Sequence, residues 1–247
     1  MGKLDGKTAV VTGSSRGIGA EVATLLAGEG AAVVVNYRQK APRANKVVSA
    51  IEAAGGKAVA VGADLTQAEG VDSLIGAALE NFGGLDVLVL NASGGMETGM
   101  GEDYALKLNR DAQVNTLNAA VEHMPAGSRV VFVTSHQSHF INTVPTMADY
   151  EPVARSKRAG EDALRELVPA LEEKGISFIV VSGDMIEGTV TSRLLDRSSP
   201  GAIEARRQEA GRLYSVEEFG AEVAKAVTME AETGHTEYVG GSDYFAK

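Results

Sequence analysis

Thr8-Ala9-Val10-Val11-Thr12-Gly13-Ser14-Ser15-Arg16-Gly17-Ile18-Gly19 runs from a short apolar segment straight into a glycine-rich turn. The segment 8–12 is almost continuously hydrophobic, as a strand buried on both faces of a parallel sheet must be. Gly13, Gly17 and Gly19 follow at the spacing G-x-x-x-G-x-G, and Ile18, Val22, Leu25 and Leu26 then recur at helical spacing. A glycine-rich turn between a buried strand and an amphipathic helix points to a phosphate cradle. Gly13 permits the tight turn, Gly17 lets the backbone approach a pyrophosphate, and Gly19 lets the helix pack close to the strand. The helix start adds unpaired N–H groups and the positive end of its dipole. Ser15, Arg16 and Ile18 complete the candidate loop. A turn without a ligand needs only one or two glycines.

The same pattern repeats along the chain. Apolar runs at 31–36, 57–61, 86–90, 129–134 and 176–181 alternate with helical patterns at 17–29, 41–54, 68–82, 104–124 (with a break), 152–174 and 215–228. Alternating strand and helix predicts a doubly wound, Rossmann-type α/β fold. The expected form is a three-layer α/β/α sandwich around a mostly parallel, seven-stranded sheet, in one domain spanning 1–247. The polar stretch 182–211 is expected as a lid over a site at the carboxyl ends of the strands, and the loop 96–103 as part of the pocket wall.

Composition narrows the partners. A length of 247 residues, 44% hydrophobic, supports a full core. There is no cysteine, which excludes disulfides and thiolate metal sites and suits the cytoplasm. No stretch reaches the roughly 20 apolar residues of a membrane helix, and the first residues lack the apolar core of a signal peptide. A formal net charge of −10 argues against nonspecific nucleic-acid binding. The four histidines lack the spacing of a metal site. Beyond these exclusions composition says little about partners.

The second strand ends in Asn36-Tyr37-Arg38. An NAD site usually places an acidic residue there for the ribose 2′-hydroxyl. Here Arg16 and Arg38 are the candidates instead, and the planar guanidinium fork suits a 2′-phosphate. NADPH is therefore expected in preference to NADH.

With these residues in view, the chain resembles the short-chain dehydrogenase/reductase family over nearly its whole length, and within it the 3-oxoacyl reductase-like members. Thr12 to Gly19 meet T-G-x-x-x-G-x-G. Asp64, with Leu65, matches the acidic residue near adenine. Leu90-Asn91-Ala92-Ser93-Gly94-Gly95 corresponds to the turn written N-N-A-G, departing from it at Leu90 and Ser93. The resemblance places the active-site asparagine at Asn115, the carbonyl-polarising serine at Ser135 and the lysine at Lys157. Gly183 and Thr189 correspond to cofactor contacts after the sixth strand, which here lacks the usual Pro-Gly. A homo-oligomer, dimer or tetramer, is implied as well.

One departure bears on the chemistry. The family's Tyr-x-x-x-Lys would put tyrosine at 153, where this chain has Val153. The nearest tyrosine is Tyr150, seven residues before Lys157, and Pro152 makes a helix start just after it plausible. Hydride attack on a carbonyl creates an alkoxide that requires a proton donor. Tyr150 is the expected donor. The resemblance has Lys157 hold the nicotinamide ribose and favour the phenolate of the donor, and has Asn115 hold a helix backbone and a relay water. His136 or His139, or water, are alternatives as proton source. Two readings follow: an NADPH-dependent ketoreductase with a small-molecule carbonyl or alcohol substrate, or a nucleotide-binding or sensing protein on the same fold.

Overall fold

Strands form where β-branched residues can be buried on both faces. All four residues of β1 (Thr8–Val11) and of β4 (Val87–Leu90) are buried. The structure, a computed structural model, describes residues 2–96 and 103–245. Between and after these strands come β2 (Ala32–Tyr37), β3 (Lys57–Gly62), β5 (Arg129–Ser135), β6 (Ser177–Gly183) and β7 (Thr236–Val239). They form one sheet of seven strands in the order β3-β2-β1-β4-β5-β6-β7, and every pairing is parallel. Successive side chains of a strand point to opposite faces. Accordingly, Val11 joins Val22, Leu26, Val33 and Phe219 in one core layer, whereas Val10 joins Val34, Leu74, Leu88 and Phe178 in the other.

The helices are α1 (Gly17–Gly28), α2 (Ala41–Ala53), α3 (Ala68–Phe82), α4 (Tyr104–Leu106), α5 (Ala112–Val121), α6 (His136–His139), α7 (Glu151–Glu166), α8 (Val168–Glu173), α9 (Val190–Ser198), α10 (Ala202–Ala210) and α11 (Val216–Ala226). A π-helical turn, Lys107–Asp111, lies between α4 and α5 and accounts for the expected break. The segment 152–174 divides into α7 and α8 rather than forming one helix. Pro169 sits in the first turn of α8, and a proline inside a helix removes one hydrogen bond and clashes with the preceding turn.

The stretch 182–211 is more ordered than a polar loop. It carries the end of β6 and the helices α9 and α10. Arg206 of α10 donates to Asp184 at 2.9 Å and to Asp243 at 2.7 Å, which pins α10 to the carboxyl end of β6. Residues 97–102 of the expected pocket loop lie outside the described residues.

Strand order reverses between β1 and β4, so the connections leaving them diverge to opposite faces and open a crevice at their carboxyl ends. Close packing of α7 against the π-turn shapes one wall. A Cβ added at Gly160 would stand 2.0 Å from the carbonyl oxygen of Asn109. Gly160→Ala is therefore expected to push α7 off the π-turn and cost about 1–3 kcal/mol, as overpacking does. Thermal unfolding reads this directly, and an unchanged midpoint would contradict the close approach.

Candidate active site

The crevice is a cavity of about 660 Å³, within the range of small-molecule sites. Its inner end is the glycine loop. Gly13 and Gly17 have φ of +61° and +57°, values that favour glycine. A Cβ at Gly19 would lie 2.5 Å from the Asn91 side chain. No side chain caps the start of α1, which leaves first-turn amides to meet an anion.

The loop is stitched to its neighbours by buried polar groups. Thr12 Oγ1 donates to the Val89 carbonyl at 3.2 Å and accepts from the amides of Asn91 and Ala92, each at 2.9 Å. Asn91 Nδ2 donates to the Thr12 carbonyl at 2.9 Å. On the other side, Asn36 Oδ1 accepts from the Gly13 amide at 3.0 Å, and Asn36 Nδ2 donates to the Ala63 carbonyl at 3.2 Å. Asn36 is thus a strut beneath the loop. Beyond it, Tyr37, Arg38, Lys40 and Arg43 line the cavity with Arg16, making that end cationic. Asp64 and Leu65 line it too, and Asp64 Oδ1 accepts from the Thr66 amide at 3.0 Å. A dinucleotide fits these residues: amides for its pyrophosphate and a cationic rim beyond the loop.

The opposite end gathers Ser135, Tyr150 and Lys157. Ser135 ends β5 and caps α6, accepting from the Ser138 amide at 3.3 Å. Tyr150 is the residue before α7, and Pro152 lies in that helix's first turn. Its side chain is buried among Ile141, Val153, Met185, Leu195 and Leu213. The Tyr150 hydroxyl reaches to 3.4 Å from Ser135 Oγ. Val153, at the usual tyrosine position, packs into the same apolar cluster, and a Cβ at Gly95 would lie 3.1 Å from it.

The loop residues Gly13, Ser15, Arg16, Gly17, Ile18 and Gly19 all line the cavity, as do Asn91, Ala92, Ser93 and Thr189. The Thr189 hydroxyl caps α9, accepting from the Ser192 amide at 3.1 Å. Two expected site residues are elsewhere. Asn115 is exposed on α5 and absent from the lining. Asn109, buried in the π-turn, is outside the lining too but bonds to the neighbours of the lining residues Ser93 and Lys157. Its Nδ2 donates to the Gly94 carbonyl at 2.8 Å and to Ser156 Oγ at 2.9 Å, while its Oδ1 accepts from the Gly94 amide at 3.2 Å. Six helical residues turn the chain through about 600°, so Asn109 and Asn115 point to different sides. The signal for Asn109 is a polar stripe: Asn109, Gln113 and Thr116 share helical spacing and are all buried. Gly183 lies outside the lining as well. A Cβ there would meet the Phe219 ring at 2.4 Å, so this glycine makes room for α11.

Neither histidine faces the cavity. His136 is fully buried; Nε2 donates to the Gly240 carbonyl at 2.9 Å, which leaves Nδ1 to accept from Ser182 Oγ at 2.8 Å. His139 lies between the buried Glu161 carboxylate, 2.8 Å away, and the Tyr238 hydroxyl, 3.0 Å away. Burial pushes Glu161 upward, but the bond from His139 and the charges of His139 and Arg165 outweigh it and hold the carboxyl below its usual range. Both histidines brace the end of β5 against its neighbours.

A profile of the short chain dehydrogenase family matches residues 7–198. An uncharacterized oxidoreductase of Methylorubrum extorquens is 42% identical over 202 residues, spanning 78% of this chain and 79% of its own. A hydroxynaphthalene reductase of Aspergillus fumigatus is 37% identical over 207 residues, spanning 80% and 73%. A short chain dehydrogenase of Burkholderia cenocepacia J2315, crystallised in complex with NADP, superposes with a TM-score of 0.83 at 31% identity, over 96% of this chain and 97% of that one.

The setting of His136 implies a pH dependence. Burial holds its pKa below the ordinary 6.5, although its bond to Gly240 and the charge of Asp184 favour the proton; His139 and Arg206 oppose it. Between the lowered folded value and 6.5 the unfolded chain binds more protons than the folded one. Its contribution to stability is therefore complete above 6.5 and is lost as pH falls through the folded value. One such proton gives a slope of up to about 1.4 kcal/mol per pH unit. Denaturant unfolding from about pH 7.5 to about pH 5 is expected to show this slope reduced in His136→Gln. An identical slope in the variant would assign the dependence to other groups.

Proposed function

The chain belongs to the short-chain dehydrogenase/reductase family, and on that premise we propose that it is an NADPH-dependent ketoreductase with Tyr150 as its proton donor. The observation that carries this reading is the approach of the Tyr150 hydroxyl to Ser135 Oγ, 3.4 Å, in the cavity that also holds Lys157 and the phosphate loop. The nicotinamide, when bound, supplies hydride to a carbonyl carbon.

The remaining work falls to the protein. Ser135 donates a hydrogen bond to the carbonyl oxygen and so stabilises the negative charge that develops there. Tyr150 delivers its proton to that oxygen, as a general acid within hydrogen-bond reach. Lys157, in the same lining, would hold the nicotinamide ribose. Asn109, clamped to Gly94 and Ser156, holds the π-turn against α7. The amides at the start of α1 would hold the pyrophosphate, and Arg16 and Arg38 would hold the 2′-phosphate. Asn36 is occupied beneath Gly13, and no ion pair joins Arg38 to an acidic side chain among the described residues, which supports NADPH over NADH.

The apolar surroundings of Tyr150, with Met185 and Leu195 lining the cavity, suit a cyclic or aromatic ketone. The likeness to a hydroxynaphthalene reductase supports the same class. Val153 in place of the family tyrosine favours a second reading, a protein that binds the dinucleotide without turnover.

Purified protein given NADPH and a panel of bicyclic aromatic ketones and β-keto thioesters separates the two. Consumption of NADPH is expected with at least one ketone, whereas tight binding with no turnover across the panel would favour the second reading. Tyr150→Phe is expected to lower kcat by at least about 100-fold, the usual contribution of a positioned general acid, with NADPH affinity unchanged. Retained turnover would place the donor elsewhere.

A further inference from the structure

Arg38 and Tyr104 meet across the mouth of the cavity. Arg38 follows β2, and Tyr104 opens α4. In the sheet, β1 lies between β2 and β4, so a bridge from the end of β2 to the segment beyond β4 passes over the carboxyl end of β1, where the phosphate loop begins. Arg38 Nη1 donates to the Tyr104 hydroxyl. The guanidinium carbon also lies 5.3 Å from the centre of the Tyr104 ring, within cation–π range. Both residues line the cavity, beside Arg16, Lys40 and Arg43.

The bond uses only part of the guanidinium. An arginine presents five N–H donors in a fixed fork. Tyr104 occupies Nη1, and the edge formed by Nε and Nη2 makes no hydrogen bond among the described residues. That edge is the one that grips a phosphate with two parallel bonds. A free arginine side chain loses considerable rotamer freedom when it is immobilised on a ligand. One already held by a hydroxyl and an aromatic face loses less.

We propose that Tyr104 is a positioning residue for the cofactor 2′-phosphate: it holds the Arg38 guanidinium over the phosphate loop with its Nε–Nη2 edge available, and thereby sets much of the preference for NADPH over NADH. The inference rests on the NADPH reading above. Tyr104 acts through Arg38, and its effect is confined to a ligand that carries the 2′-phosphate.

Fluorescence titration of the full chain with NADPH and with NADH tests this without any substrate. Tyr104→Phe keeps the ring and removes the hydroxyl. It is expected to raise the Kd for NADPH by about three- to tenfold, the scale of the net contribution of one hydrogen bond, with the Kd for NADH unchanged. The NADH affinity also reports that the variant is folded. In an Arg38→Gln background, Tyr104→Phe is expected to add no further loss, because the group it positions is gone. Equal weakening of both cofactors, tighter NADPH binding, or full additivity in the double variant would each overturn the role of Tyr104. A wild-type chain that binds NADPH and NADH alike would overturn the NADPH reading and the inference with it. A wild-type chain that discriminates, beside a Tyr104→Phe variant with the same ratio, overturns the inference alone.

Discussion

A single buried hydroxyl joins the two halves of the site. Thr12, at the end of β1, donates to the Val89 carbonyl and accepts from two amides of the turn after β4. It sits where the strand order reverses, the one place in the sheet where neighbouring strands send their connections to opposite faces. Buried backbone groups require partners, and here three of them share one side chain. The glycine loop and the Asn91–Ser93 turn are therefore held as a unit. Asn36 supplies the matching support from β2. A cradle built this way is rigid before any ligand arrives, so little ordering remains for binding to impose.

The opposite end of the cavity rests on a different device. There the side chains are placed by helix starts and by a defect in a helix. Ser135 is an N-cap, Tyr150 precedes the first turn of α7, and Asn109 occupies a π-turn. π-Turns leave backbone groups available that a regular helix would consume, which is why they recur at functional sites. The family tyrosine position belongs to Val153, which fills the apolar cluster under Gly95. Tyr150 approaches Ser135 from the helix entrance instead. Buried charge around α7 serves architecture: Glu161 gathers His139 and Arg165, and breaking such a cluster from one side leaves an uncompensated buried charge.

The fold was legible in the sequence because its signals are local. Near-continuous β-branched runs mark strands covered on both faces, and the spacing of Ile18, Val22 and Leu26 marks a helix beside them. The helix 68–82 coincides with its expected limits. Errors fell where local pattern and tertiary contact disagree. Family spacing pointed to Asn115, but helix rotation and the π-turn direct Asn109 inward. Gly183 resembled a cofactor contact, yet its lack of a side chain accommodates Phe219. The expected lid 182–211 also holds the helices α9 and α10, which its polar sequence did not announce; α10 is held by Arg206 meeting Asp184 and Asp243, distant in the chain.

The sequence by itself determined the doubly wound α/β architecture, the phosphate loop, and the presence of Ser135, Tyr150 and Lys157 without the usual tyrosine spacing. These follow from periodicity, glycine placement and residue type, which act over a few neighbours. The tertiary structure alone decided which of the candidate side chains share a cavity. It set Tyr150 beside Ser135, packed His136 and His139 as braces, turned Asn115 outward and Asn109 inward, and laid Arg38 against Tyr104. Such meetings depend on how helices and strands pack over dozens of residues, and no local pattern encodes the angle at which two distant elements present their side chains.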